Sequence, residues 1–452
     1  MSADAIARGL ATLTDWTATL EWDGIPEPVR RRATLVLSDD LAAMVAARDE
    51  SELMAMQDGI AKSSGAAEAT VFNARAMHLD RYSAATANGA AADWCELDEG
   101  YRRVICHAGI YCLPAILAEA EAEGASARDL LRALVIGYET AARVARAFTF
   151  PNMILHPHGS LAAVGAAAAL AALRRLPGEA ALGAISSAAT MVVPGPYTHP
   201  IKGSLVRNVW PAIGAWAGMR AVDWSSVGIT GLPTALHDVY ADAFGAKPNA
   251  GELSGELGEN WAISDGYHKI FACCQYGHAT IEATLKLCQQ ASHERIAGIH
   301  IQTHWRARAM DNPDPPTTIG AKFSMQHIAA TAAVHGAGGA EAFHASTIDN
   351  AAVAALRHKV TLEPYEPEPE WPNDRPARVT WTLDDGTTLT EEVLSARGGP
   401  DLPFTPDEIR NKIHRIVAQP YPAMAPALDR LMALEDAALE RSWAETVADM
   451  TG

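Results

Sequence analysis

Positive charge is scarce in this sequence: 36 Lys and Arg stand against 54 Asp and Glu, a formal charge of -18 over 452 residues. Such a chain repels nucleic-acid phosphates and anionic lipid unless a local basic run compensates, and no such run is present. Neither nucleic acid nor a membrane is an expected partner. Cysteine is scarce too. The six thiols (Cys95, Cys106, Cys112, Cys273, Cys274 and Cys288) form no CxxC pair and fall far below the density of a secreted disulfide scaffold, which points to a reduced cytosol. Long apolar runs are also missing: no segment reaches membrane-spanning length without polar breaks, and the opening MSADAIARGLATLTDW has no apolar core behind a basic start. A soluble, cytoplasmic, unprocessed protein is expected.

Hydrophobic residues make up 49% of the chain, enough for two or three ordinary domains or one large and one small. The most unusual stretch is Leu155 to Leu176, LHPHGSLAAVGAAAALAALRRL, whose Ala and Gly side chains let neighbouring helices approach almost to backbone contact. It predicts a helix at the middle of a bundle, capped by Ser160 or by the Pro157-His158-Gly159 turn. His156 and His158 then lie beside the unsatisfied amides of its positive end, a natural place for an anion.

Apolar spacing predicts further helices over Asp4 to Leu20, Pro26 to Ala47, Ser126 to Phe148 and Ala180 to Ala189. An Ala-rich helix ends near Asp93-Trp94 after a polar loop at Phe72-Asn73, another starts at His107, and a Trp- and Gly-rich one follows Arg207. Strand patterns are expected only beyond Asp265: Ile299 to Trp305, Lys359 to Leu362 and Ala377 to Leu383 alternate, and Asp384-Asp385-Gly386 marks a hairpin. Helices over Ala279 to Gln290 and Ser324 to Val334 lie between them. Pro364 to Pro372 is too proline-rich for regular structure, and the helices between Thr405 and Val447 are expected to pack back on the first part of the chain. The expected fold class is mainly α: a large all-helical domain built from both chain ends, residues 1–267 and 403–452, and a smaller α+β lid domain, residues 268–402.

An anionic substrate in so acidic a protein requires a small island of cations. Lys202 and Arg207 concentrate before one helix, Lys269 opens the segment running to His278, and Glu96, Asp98 and Glu99 crowd one turn before His107. Each cluster also has a plain use as a cap or a solvated surface. Their order and spacing carry more. Glu96-Leu-Asp-Glu-Gly100 with His107, His156-Pro-His158-Gly-Ser160, Lys202 through Pro211, Lys269 through His278, and Ala321-Lys-Phe-Ser324 together resemble the MmgE/PrpD family. These are the 2-methylcitrate dehydratase-like proteins, which also include cis-aconitate decarboxylase and iminodisuccinate epimerase.

The resemblance covers almost the whole chain. It implies a helical domain and an α+β lid with the site between them, usually in a homodimer. It also implies chemistry on a di- or tricarboxylate without metal or organic cofactor, and site residues at Asp98 or Glu96, His107, His156, Lys202 and Lys269. Ala108 stands where the family commonly has Pro, His158 where a small or hydroxyl residue is common, and the segment after Lys202 brings in Arg207.

Removing a proton beside a carboxylate creates an enolate-like dianion that cations and helix-end amides stabilise. His107 and His156 are the proton carriers expected, one as base and one as acid, oriented by Asp98 or Glu96. Lys202, Lys269, Arg207, His158 and Lys322 are the candidate substrate binders. Dehydration of a 2-methylcitrate-like acid leads this reading, ahead of decarboxylation of a cis-aconitate-like acid and epimerisation of an amino- or imino-dicarboxylate. Zinc on His156, His158, Cys273, Cys274 and His278 is a rival use of the same residues. No HExxH or CxxC pair occurs, however, and adjacent cysteines rarely both ligate one ion, so no metal is expected. A non-catalytic helical binding protein is the alternative of another class.

Overall fold

The computed structural model describes residues 2–150 and 152–452. Alanine and glycine decide its centre. The alanine-rich helix runs Pro157–Leu173, and every residue from Pro157 to Ala171 is buried, as befits a helix apolar on all sides. Around it stand the helices Ala108–Glu123, Ala127–Ala147, Gly178–Ala189 and Trp210–Ser225. They come close because nothing larger than a methyl intervenes. A Cβ on Gly218 would lie 2.5 Å from that of Ala166, and one on Gly165 would lie 2.7 Å from that of Tyr111.

The helix begins earlier than the sequence suggests. His156 is its N-cap, with Nδ1 accepting from the His158 amide at 3.3 Å, while Gly159 and Ser160 are already inside the first turn. The reason is a neighbouring strand-like segment. Gly195 accepts from the His156 amide at 2.8 Å and Gly159 accepts from the Val193 amide at 3.0 Å, an approach that a side chain on Gly159 would block. The Ser126 cap is as expected, accepting from the Asp129 amide at 3.1 Å.

The acidic stretch between the Arg81–Trp94 helix and His107 is held by a two-residue ladder in which Gly100 and Tyr101 pair antiparallel with Tyr267 and Gly266. This brings Lys269 opposite the acidic residues. Strands also occur before Asp265, contrary to expectation: Ala69–Val71 pairs with Met77–Leu79. Phe72 and Asn73 between them are buried rather than a polar loop, because the Phe72 amide bonds Asn88 Oδ1 and Asn73 Nδ2 bonds Gln57 Oε1.

Downstream, the expected strands form one four-stranded sheet in the order Thr388–Val393, Ala377–Leu383, Ile296–Thr303, Val360–Pro364, antiparallel except for the last pair. Ala377, Val379, Trp381 and Leu383 are buried, and the His278–Cys288 helix covers that side. The Pro406–Val417 helix returns to the Glu27–Ala46 helix, where Lys412 Nζ lies 2.7 Å from Asp39 Oδ1.

Close helix approach makes glycine positions unequal. Gly218→Val is expected to cost about 2–4 kcal/mol by overpacking. Gly59→Ala, in the Ser51–Ala61 helix with no atom within 4 Å of the added methyl, is expected to gain about 0.5–1 kcal/mol. Denaturant unfolding measures both; similar effects at the two positions would contradict the packing described.

Candidate active site

The site is built on carboxylates that could not be buried alone. Asp93 ends the Arg81–Trp94 helix, and Glu96 and Asp98 follow in the loop, all three withdrawn from solvent. Glu96 adopts a left-handed φ of 53°, uncommon for a residue with a side chain and a form of strain found at functional sites. Two cations meet them. Arg207 bonds Asp93 through Nη1 and is ion-paired with Glu96, its Nη2 lying 2.6 Å from Oε1. Lys269 Nζ lies 3.2 Å from Glu96 Oε2 and 3.1 Å from Asp98 Oδ1. Against the effect of burial, Arg207 and Lys269 bring Glu96 down to about 2, and Lys269 and His107 hold Asp98 well below the carboxylate range. Asp98 and Glu96 in turn keep Lys269 charged despite its burial.

Three histidines surround this lattice in different states. His158 is the most enclosed: Nε2 donates to Asp93 Oδ1 at 3.0 Å, so Nδ1 accepts from the Tyr111 hydroxyl at 2.8 Å. His156 faces a donor at each nitrogen, the His158 amide at Nδ1 and the Arg207 guanidinium 3.3 Å from Nε2, and a neutral ring can accept from only one of them. It has no acceptor for an added proton. Burial first, and then the charge of Arg207, hold both rings well below the ordinary histidine range. His107 differs. Its Nδ1 is shared between Asp98 Oδ2 at 2.6 Å and the Glu99 carbonyl at 3.0 Å, and among the described residues Nε2 has no partner. Behind it, Glu99 accepts from the Gly109 amide at 2.8 Å and the Tyr138 hydroxyl at 2.9 Å, and burial pushes its carboxyl up to about 8.

In front of His107 lies a narrow cleft of about 20 Å³, walled by Glu96, His107, His156 and Arg207 on one side. Its other walls carry Tyr197, Tyr267, Tyr276, Gln275 and Arg375, none of which the sequence analysis singled out as site residues. Gln275 and Tyr276 fall within the Lys269 to His278 segment that it did mark. Arg375, following the proline-rich loop, carries no such signal. It is buried, with Nη1 on Gln275, Nη2 on the Arg102 carbonyl at 3.2 Å, and Nε 4.0 Å from Asp374 Oδ2. The hydroxyls of Tyr197, Tyr267 and Tyr276 make no hydrogen bond among the described residues.

Of the expected site residues, the structure thus gathers Glu96, Asp98, His107, His156, His158, Arg207 and Lys269. It does not bring in Lys202, which ends the short Thr198–Ile201 helix half-buried, with no side-chain partner among the described residues. Lys322 is buried, but its ammonium is spent on the Trp94 carbonyl at 2.7 Å. Asp93, Glu96 and His158 stand close enough to ligate an ion, yet the Arg207 guanidinium already bonds both carboxylates, so positive charge occupies that position. His278 and Cys273 instead bond backbone carbonyls beside them.

The MmgE/PrpD N-terminal domain matches residues 11–246 and the MmgE/PrpD C-terminal domain matches residues 271–434. The chain belongs to the MmgE/PrpD family. It is 26% identical to the cis-aconitate decarboxylase-like protein oryM of Aspergillus oryzae, over 98% of this chain and 95% of that one. It is 24% identical to a cis-aconitate decarboxylase of Aspergillus terreus, over 88% of this chain and 87% of that one. Family and relatives support a lyase-type reaction.

Burial of neutral histidines has a consequence for stability. Besides His156 and His158, burial lowers His268 to about 4 and His278, His304 and His327 to about 3. Between pH 6.5 and 5 the unfolded chain takes up protons on these six rings that the folded chain refuses, so their contribution to stability falls as pH falls. Six carboxyls raised by burial, Asp40, Asp93, Glu99, Glu121, Glu139 and Glu282, hold protons in the folded state and act in the opposite direction. The histidine share is read from a single ring: the thermal midpoint at pH 5 minus that at pH 6.5 is expected to be more positive in His327→Gln than in the parent. An equal difference in the two proteins would mean that the ring accepts a proton in place.

Proposed function

We propose that this member of the MmgE/PrpD family is a lyase that decarboxylates a cis-aconitate-like tricarboxylate, with His107 delivering the proton. One observation carries the reading: His107 alone among the clustered histidines presents an unbonded ring nitrogen at the cleft, with a carboxylate fixed behind the other nitrogen. The relatives named as cis-aconitate decarboxylases support the same reaction. Dehydration of a 2-methylcitrate-like acid needs one group to take the C–H proton and another to protonate the departing hydroxyl. Epimerisation likewise needs proton positions on two faces. His156, held neutral between two donors, is poorly suited to be the second carrier.

Decarboxylation needs only one donor. The carbon–carbon bond to the departing carboxylate breaks, and its electron pair remains on the adjacent carbon, spread into a neighbouring carboxylate. Nε2–H of the His107 imidazolium then bonds that carbon, and solvent returns the proton to the ring. Asp98 stabilises the imidazolium and fixes its orientation. Arg375 and the three tyrosine hydroxyls provide donors for substrate carboxylates and for the charge that develops on them. Arg207 has another role, since Nη1 is bonded to Asp93, Nη2 is ion-paired with Glu96, and Nε faces the His156 ring. No metal or organic cofactor enters this scheme. In the same reading, residues 1–267 with 403–452 form the helical domain, residues 268–402 form the lid, and the enzyme is a cytoplasmic homodimer. Exposed Ile213 and Trp216 on the Trp210–Ser225 helix, with Leu232 nearby in sequence, offer an apolar face for such assembly.

The test assays one preparation for carbon dioxide release from cis-aconitate, alkene formation from 2-methylcitrate, and loss of optical activity from an aminodicarboxylate. Carbon dioxide release is expected. His107→Gln and Asp98→Asn should lower turnover by roughly two to four powers of ten with little change in KM, while Lys202→Ala stays within about threefold of the parent because it removes no cleft contact. Losses in Lys202→Ala as large as those in His107→Gln would place the chemistry elsewhere.

A further inference from the structure

Beside the charged cleft lies a larger cavity of about 280 Å³. Ile105 lines both, and Leu155 and Pro157, which flank the cleft residue His156, line the cavity. Its inner wall is apolar: Val144 and Ala145 from the Ala127–Ala147 helix, Leu161 from the alanine-rich helix, and the stacked rings of Phe148 and Tyr240, whose centroids are 5.1 Å apart. The Tyr240 hydroxyl is consumed by the Ser160 carbonyl, which removes two polar groups from the wall at once. Charge is confined to Arg103, which is paired with Asp265 at 2.5 Å, and Arg306, whose guanidinium lies over the half-exposed Trp305 indole at 4.6 Å from its centroid. Cavities of this size with apolar walls and a few polar groups at one end are the usual form of small-molecule sites.

We propose that this cavity receives an apolar substituent of the substrate, so that the enzyme acts on carboxylates carrying an alkyl chain of several carbons; the inference rests on the carboxylate cleft described under the proposed function. The acid groups sit before His107 and Arg375, and the chain passes Ile105 into the cavity between Ala145 and Phe148. The cleft is polar and has no apolar extension of its own, whereas the adjoining cavity has room for a chain along its apolar inner wall. Desolvation of the chain then supplies affinity that the crowded charge lattice, with its cations already paired, does not.

Equilibrium binding by calorimetry of succinate, butylsuccinate and octylsuccinate tests this with the intact protein. Each methylene that enters the cavity should tighten binding about fourfold, so butylsuccinate should bind on the order of a hundredfold more tightly than succinate. Ala145→Phe fills the inner wall and should abolish that gain while leaving succinate affinity within about twofold. Thr149→Trp, at an exposed position of the same cavity, repeats the test without touching the core. Succinate binding with no gain from the chain, or a gain that survives in both variants, overturns the inference and leaves the carboxylate cleft standing. If none of the three acids binds, the cleft reading falls and this inference falls with it.

Discussion

Burying three carboxylates from one short stretch of chain is the constraint on which the rest of the site depends. Asp93, Glu96 and Asp98 have no water to solvate them, and Arg207 and Lys269 supply what water would have. Neither cation is local. Arg207 arrives on the turn before the Trp210–Ser225 helix, and Lys269 arrives just beyond the ladder that ties Gly266 and Tyr267 to the acidic loop. Removing one member of such a lattice leaves an uncompensated charge at a cost of about 3–5 kcal/mol, so the interactions that shape the cleft are also interactions that hold distant parts of the chain together. Local strain at Glu96 is affordable for the same reason: its carboxylate is fixed from two sides.

Small side chains make the lattice geometrically possible. The alanine-rich helix brings its N-terminus, and with it His156 and His158, into the middle of the molecule, because the Trp210–Ser225 helix packs against it almost backbone to backbone. This was legible in the sequence, since a run of alanines interrupted by glycine has no other efficient use in a buried helix. The hairpin at Asp384-Asp385-Gly386 was legible for a comparable reason: Gly386, at φ 85°, takes the left-handed conformation that the turn requires. The residues of the lattice could also be named, because buried acids, histidines and cations are conspicuous in an otherwise apolar chain.

What the sequence concealed was direction. Lys202 and Arg207 lie in one cationic cluster of the chain, yet only Arg207 turns inward, and no spacing rule distinguishes them. The cap of the central helix moved from Ser160 to His156 because segment 193–195 bonds the helix start, a long-range contact invisible to local propensity. Phe72 and Asn73 read as a polar loop until Asn88 and Gln57, far along the chain or on another helix, satisfied them. Arg375 and the three cleft tyrosines come from segments with ordinary composition, and their importance arises only where four separate pieces of chain meet around one space.

The same pairing that makes the lattice stable limits what it can do for a substrate. Glu96 and Asp98 are held ionised against Arg207 and Lys269, and burial raises the Asp93 carboxyl, so the lattice has little positive charge to spare for an incoming polycarboxylate. Attraction must come from groups outside the lattice, Arg375 on the far wall among them. His107 stands between that space and Asp98, whose carboxylate fixes the ring from the other side. On the proposed mechanism, the carbanion removes its proton from that ring. His156, which burial and then the charge of Arg207 keep neutral, is not placed to supply that proton in its stead.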